Sequence, residues 1–206
     1  MNTTLRKIRA AGPCGMRLDD GKRVGYLKLR HYLGKGYGDD TPIDIATILD
    51  SNGLDDALWC LRAVDGRARE MRLYAVWCAR QVRHLMADKR SINALDVAVR
   101  HANGTATDDE LAAARAAAWA TLRGDAWEAA LATLRGDAWE AAWATAWATS
   151  RGDALAAARD AECGDAWDDA WASARDAASN VQAKELRRVC DCISAGQDPY
   201  PFKEAE

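Results

Sequence analysis

The sequence has a single Phe and no long uninterrupted apolar run, and both shortages limit what the protein can be. Arg, Asp or Glu interrupts every hydrophobic stretch before it reaches the roughly 18 to 20 residues that a membrane span needs. The basic residues within positions 2–10 are not followed by the apolar run of a signal peptide. We therefore expect a cytoplasmic protein that has no membrane partner.

Histidine is also scarce, with three residues, His31, His84 and His101. None of them has a Ser or Cys nucleophile and an acidic partner at a recognisable spacing, so the sequence predicts no catalytic site. The six cysteines are scattered, and Cys190-x-Cys192 lacks the second Cys or His pair that a structural zinc site requires. We predict a non-enzymatic protein with free thiols and with neither a metal nor a cofactor.

Alanine and tryptophan supply much of the apolar content, and nine Trp stand against the single Phe. The block at 121–132 recurs almost unchanged at 133–144, and weaker copies begin further along the chain. Apolar residues follow one another at steps of four, and each step of four in an α-helix rotates by about 40°. We predict two or three long helices with a break at Gly152 or Gly164, because Gly can end one helix before Asp caps the next.

Capping residues and apolar spacing mark further helices in the middle of the chain. The predicted spans are 41–53, 54–64, 67–87 and 91–103. We expect Thr41 and Ser91 to cap the first and the last of them, and Thr107 with Glu110 to form a capping box for the region that follows. The third carries an apolar face, predicted to be core, of Met71, Tyr74, Ala75, Cys78, Val82 and Leu85.

These patterns predict an all-α fold, a helical bundle with an elongated Ala/Trp-rich repeat region. A last helix is expected over 180–193. Asp20-Gly21 between apolar runs indicates a short N-terminal hairpin, with a loose basic arm as the alternative. The expected segments are a basic Gly-rich segment at 1–40, a helical core at 41–105, the repeat region at 106–194 and a flexible tail at 195–206.

The net charge of −3 conceals an uneven distribution. Residues 1–40 carry nine basic and four acidic residues, whereas residues 106–206 carry ten and nineteen. A basic segment that also contains Tyr26 and Tyr32 predicts, as one alternative, a nucleic-acid-associated protein. The cations that would contact nucleic acid are Arg6, Lys7, Arg9, Lys22, Arg23, Lys28 and Arg30.

Three motifs carry a family resemblance. Residues 50–62 read Asp-Ser-Asn-Gly-Leu-Asp-Asp-Ala-Leu-Trp-Cys-Leu-Arg, and residues 72–80 read Arg-Leu-Tyr-Ala-Val-Trp-Cys-Ala-Arg. Residues 101–111 read His-Ala-Asn-Gly-Thr-Ala-Thr-Asp-Asp-Glu-Leu, and an Ala/Trp/Arg tail follows them. With these motifs, residues 41–175 resemble a family of bacterial and phage immunity proteins. The resemblance implies an all-helical fold and binding to a toxin or another effector protein.

We expect from this resemblance a cytoplasmic inhibitor that occludes a toxin or effector by binding to it. A phage-encoded inhibitor of a host defence protein is a second hypothesis, and the nucleic-acid alternative stays open beside both. Tryptophan and arginine are enriched in binding hot spots, although buried Trp at helical spacing is more often core. The residues expected at the interface are Trp59, Arg62, Arg72, Arg80, His84, Trp127, Trp139, Trp143, Trp147, Trp167 and Trp171.

Overall fold

The computed structural model describes most of the chain and confirms the predicted all-α class. Helices carry most of these residues, and the β structure among them is one two-stranded sheet. None of the helices in this part of the chain combines the length and the hydropathy of a membrane span. The described residues are 1–15, 24–86, 88–119, 138, 140–145, 148 and 165–201, except for the side chains of residues 119 and 165–171.

Eight α-helices follow one another in the described residues. They are α1 (Leu5–Ala10), α2 (Gly25–Leu33), α3 (Ile45–Asn52), α4 (Leu54–Cys60), α5 (Ala68–Gln81), α6 (Lys89–Ala102), α7 (Asp108–Trp119) and α8 (Asp165–Ser194). Two short 3₁₀ turns, Leu61–Ala63 and Arg83–Leu85, follow α4 and α5. Residues 140–145 are helical as well.

The chain divides into two compact units, and the boundary falls once after Arg67 and again inside α8. The first unit contains Met1–Arg67 and Glu185–Pro199, and the second contains Ala68–Lys184 and Tyr200–Glu206. The four segments expected from composition follow other boundaries and stay predictions.

The first unit is built around aliphatic side chains of α1, α2 and α3. Leu5, Ile8, Leu29, Ile45 and Ile48 are all almost completely buried. Strand β1 (Asn2–Thr3) pairs antiparallel with β2 (Ile43–Asp44), so the start of the chain lies directly beside the start of α3. This sheet closes the unit across about forty residues of sequence, which no local pattern predicts.

The sheet also explains why the predicted cap of the first helix is wrong. Thr41 was expected to cap a helix beginning at Pro42, but residues 43 and 44 are held in β2. The helix therefore begins at Ile45, and the Asp44 carboxylate accepts the backbone N–H of Ala46 at 2.8 Å. The same carboxylate receives the buried amino group of Met1 at 3.0 Å.

The predicted hairpin is wrong in its second strand, because residues 24–27 lead into α2 instead. Its first strand lies outside the described residues. Helix α2 begins without a side-chain cap, and the carbonyl groups of Cys14 and Gly15 accept the N–H groups of Tyr26 and Leu27, both at 3.2 Å. A Cβ atom at Gly25 would lie 2.6 Å from the Cys14 carbonyl oxygen, so the close approach requires glycine.

The second unit packs α5 on α6 and α6 on α7. Small side chains dominate its core, which lets the helices approach closely. Its buried residues include Val76, Ala79, Val82, Leu95, Ala98, Ala114 and Ala118. The buried Tyr74 hydroxyl donates to the Gln182 carbonyl oxygen at 3.1 Å, and the Gln182 amide donates to the Ala142 carbonyl oxygen at 2.9 Å. These bonds tie α8 to α5 and to the repeat region.

Two other helix ends differ from prediction, and one agrees with it. Helix α6 begins at Lys89 with Asp88 as its cap, one turn earlier than the expected Ser91 cap, and Ser91 is buried. Helix α8 begins at Asp165 rather than near residue 180. The capping box is confirmed, because Glu110 accepts the Thr107 N–H at 2.8 Å and Thr107 accepts the Glu110 N–H at 3.2 Å. The expected breaks at Gly152 and Gly164 lie outside the described residues.

Candidate protein-binding surfaces

The structure brings two of the predicted interface residues together at the end of α4. The Arg62 guanidinium lies over the Trp59 ring, 4.9 Å from its centroid, and Arg62 Nε donates to the Trp59 carbonyl oxygen at 3.1 Å. A cation above an indole face is an attractive arrangement. Trp59 is half-buried and lines a small apolar cavity together with Tyr26 and Cys60.

Two more predicted residues, Arg80 and His84, lie where α5 ends and α6 begins. We call this region the basic corner and define it as Arg80, Arg83, His84, Leu85 and Lys89. All five residues are exposed. Arg80 reaches Asp96 at only 3.8 Å, and neither Arg83, His84 nor Lys89 pairs through its side chain with any described residue.

Leu85 is the residue of the basic corner that sequence reasoning misplaced. The predicted helix over 67–87 puts Leu85 on the core face with Tyr74 and Val82. The helix ends at Gln81, however, and residues 83–85 form a 3₁₀ turn. The change of helical register turns Leu85 outward, where its side chain is 43% exposed, while Val82 stays fully buried. The signal that could have found it is the pair of polar residues Arg83 and His84 directly before Leu85 in the sequence.

Arg72 is not part of the basic corner. Its side chain is half-buried in the second unit, and burial lowers the pKa of its guanidinium. Repulsion from Arg115 lowers that pKa further, whereas Asp108 raises it. Arg72 therefore lies near the charged residues Asp108 and Arg115 of α7, and His101 also contacts Asp108 at 2.9 Å.

Trp143 is the one predicted repeat tryptophan whose side chain is described. It is 40% exposed, and its helical neighbours Ala141, Ala142 and Ala144 are buried. Trp127, Trp139 and Trp147 lie outside the described residues. Trp167 and Trp171 belong to α8 by their backbone, and their side chains are not described.

Most of the described cations of the predicted nucleic-acid surface are already paired within the first unit. Arg6 contacts Asp40 at 2.5 Å, Lys7 contacts Asp65 at 2.7 Å, and Arg9 pairs with Asp39. The hydrogen bond from Arg9 holds the pKa of the Asp39 carboxyl below its usual value.

The remaining cations of that set differ from one another. Arg30 donates to the Tyr37 carbonyl oxygen at 2.8 Å, whereas the Lys28 side chain is exposed. Lys22 and Arg23 lie outside the described residues. The basic N-terminal segment therefore offers less uncompensated charge than its composition suggests.

The described thiols do not form a metal site. Cys60, Cys78 and Cys190 are buried, Cys192 is partly buried, and Cys14 is exposed. Burial raises the pKa of Cys60 and of Cys190 to about 12, so neither is a thiolate at neutral pH. Within the described part of the chain, no three His, Cys, Asp or Glu side chains are placed to hold a metal ion.

The motifs that suggested the immunity-protein family hold local structure in both units. In the first motif, the Asn52 amide donates to the Gly25 carbonyl oxygen at 2.8 Å and to Asp56 at 2.7 Å. In the third motif, Thr107 and Glu110 form the capping box of α7. Comparison of the chain with protein-family models, with curated proteins and with solved structures gives no match.

Proposed function

We propose that this protein binds another protein and blocks it, as an immunity protein blocks a toxin or effector. The observation that supports the proposal is the basic corner, where Leu85 is exposed in the same short segment as Arg83 and Lys89, which pair with no described carboxylate. The adjoining core of the second unit is closed, with Val82 and Leu95 almost completely buried. Exposure of Leu85 therefore comes from the turn itself and not from a loosely packed unit.

The chemistry of the basic corner fits a partner with an acidic surface around an apolar socket. Leu85 would enter the socket, and Arg83 would pair with a carboxylate beside it. Arginine and buried apolar anchors are typical of the few residues that dominate binding energy. Lys89 and the weakly held Arg80 would lie at the rim, where charges raise the rate of association more than the affinity.

The proposal is tested by capture with a C-terminally tagged protein from nuclease-treated bacterial lysate. Leu85→Asp places a carboxylate against the acidic socket and should lower the affinity for a captured partner at least about 30-fold. Val181→Asp is the matched control, because Val181 is an equally exposed aliphatic residue of the same unit, 48% exposed, and lies in α8. The control should bind like the wild type.

A functional readout accompanies the binding measurement. Expression of the captured partner alone should slow bacterial growth, and co-expression of the wild type or of Val181→Asp should restore growth. Co-expression of Leu85→Asp should not. Equal affinity and equal rescue by Leu85→Asp and the wild type would rule out the basic corner as the binding surface. The identity of the captured protein also separates a toxin from a host defence protein, which is the second hypothesis.

A further inference from the structure

Helix α2 presents a second exposed surface, which the protein-binding proposal does not use. Its buried side holds Tyr26 and Leu29 in the core of the first unit. On the opposite side lie Lys28 and, three and four residues after it, His31 and Tyr32, so that Lys28 shares a helix face with each of them. All three are exposed, and Lys35 is exposed in the turn after the helix.

Tyr32 is the most exposed large apolar residue in the described part of the chain. Its side chain is 58% exposed, compared with 7% for Tyr26 on the buried face. An aromatic ring left in solvent on an ordered helix is a platform on which another planar group can stack.

The cations around Tyr32 differ from those of α1. The side chains of Lys28, His31 and Lys35 make no hydrogen bond or ion pair with any described residue. Arg6, Lys7 and Arg9 are each paired with an aspartate. Among the described residues of the N-terminal segment, the lysines that remain unpaired, Lys28 and Lys35, therefore lie within four residues of the exposed tyrosine.

Hydrogen bonds to neighbouring segments hold helix α2 at both of its ends. Two carbonyl groups of the preceding segment accept the first N–H groups of the helix, at Tyr26 and Leu27. At the other end, Arg30 donates to the Tyr37 carbonyl oxygen at 2.8 Å. A backbone that is ordered before binding loses less conformational freedom when a ligand stacks on a side chain that it carries.

We propose that this face, formed by Lys28, His31, Tyr32 and Lys35, binds single-stranded nucleic acid. Tyr32 stacks on an unpaired base, and the two lysines contact phosphates on either side of it. A solvent-facing aromatic ring among cations is the combination used by proteins that bind single strands without sequence preference. An acidic peptide would use the charges and leave the ring without a partner. A duplex would offer phosphates only, since its bases are already stacked.

The test uses the full chain and a fluorescein-labelled oligothymidylate of about twelve nucleotides, with binding measured by fluorescence anisotropy at low salt. Tyr32→Ala should weaken binding roughly 5- to 150-fold, which is the range for loss of one stacked base. Tyr32→Trp keeps a stacking ring and should bind at least as tightly as the wild type. Circular dichroism should show no change in either variant, because Tyr32 is exposed.

Two further measurements separate the face from general electrostatic attraction. Two phosphate contacts predict that log K falls against log salt with a slope of about −1.4, and Lys28→Ala should reduce this slope to about −0.7. Arg6→Ala is the matched control, because Arg6 is paired with Asp40, and its binding should stay within about twofold of the wild type.

Several results would overturn the proposal. One is the absence of a change in anisotropy at millimolar protein. Another is equal binding by the wild type and Tyr32→Ala, which would mean that no base stacks on the ring. Equal binding of a polyglutamate of the same length would mean that the surface responds to negative charge alone. Each result leaves the basic corner untouched, because the corner belongs to the other unit.

Discussion

Helix α1 and the basic corner have similar compositions and opposite surroundings. In α1, three of the six residues are basic, and each is paired with an aspartate from elsewhere in the first unit. The basic corner contains four basic residues besides Leu85, and only Arg80 among them reaches a described carboxylate, at 3.8 Å. The charge of a segment therefore does not tell whether the charge serves the fold or is available to a partner. Whether the charge is available depends on which carboxylates the fold places near that segment.

The pairing of α1 depends on contacts that are distant in sequence. The Arg6 N–H donates to the Asp39 carbonyl oxygen at 3.0 Å, which places Asp39 and Asp40 beside the helix. Of the two carboxylates close to the basic corner, Asp88 is engaged by Arg90 at 2.8 Å and Asp96 reaches only Arg80. Arg83, His84 and Lys89 are left without a described partner for this reason.

The largest expected effect is on the free energy of unfolding, and it tests whether the exposed Leu85 contributes to the stability of the second unit. Leu95→Ala removes a side chain that is 1% exposed in the second core and should lower the free energy of unfolding by about 2–5 kcal/mol. Leu85→Ala makes the same truncation in the basic corner and should change it by no more than about 0.5 kcal/mol. Denaturant unfolding followed by circular dichroism measures both. If Leu85→Ala lowered the free energy of unfolding about as much as Leu95→Ala, Leu85 would be a core residue.

A smaller effect is expected from reversing one charge in each region. Arg9→Glu sets a second carboxylate beside Asp39 and should lower Tm, though by less than Leu95→Ala does. Arg83→Glu should leave Tm unchanged, because no described residue pairs with Arg83. Thermal unfolding of the two variants at the same low ionic strength measures the difference. Equal shifts would contradict the distinction between paired and available cations.

The smallest expected effect is on the pH dependence of stability between about pH 4 and pH 2. The hydrogen bonds from Arg90 lower the pKa of Asp88 to about 2. Since this pKa is depressed in the folded state, the pair contributes stability above the usual Asp pKa of about 4 and loses it as pH falls toward 2. In Arg90→Gln, the Asp88 pKa should rise toward about 4, and the loss of stability between pH 4 and 2 should become shallower.

Carboxyl carbon NMR titration measures this pKa directly. Arg83→Gln is the control, since Arg83 does not bond to Asp88 among the described contacts, and it should leave the Asp88 pKa in place. In α1, Arg9→Gln should raise the pKa of Asp39 in the same direction, because the Arg9 hydrogen bond is the largest cause of its depression. An Asp88 pKa that stays near 2 in Arg90→Gln would show that the Arg90 guanidinium is not the main cause of its depression.

Features decided within a few residues could be predicted from the sequence. The capping box of Thr107 and Glu110 joins residues three apart, so the pattern alone identifies it. The end of α3 at Asn52 agrees with the end predicted for this helix at residue 53.

Features decided by distant contacts could not be predicted. The cap of α3 is Asp44 and not the predicted Thr41, because β2 pairs with the first residues of the chain. The strand expected at 24–27 became helical, and the carbonyl groups of Cys14 and Gly15 accept the first N–H groups of that helix. In both places, backbone hydrogen bonds with an earlier part of the chain decided where the helix begins, and the local sequence does not show such bonds.

The sequence by itself determined the helical class, because the spacing of its apolar residues and its capping residues acts over one or two helical turns. It also determined which residues carry charge. The tertiary structure alone decided which of those charges are compensated, since each aspartate beside α1 comes from thirty or more residues away. It likewise decided that Leu85 and Tyr32 face outward while Val82 and Tyr26 are buried. The spacing of apolar residues predicts which side chains share one face of a helix. Where the helix ends, and whether another element covers that face, depends on packing with the rest of the chain.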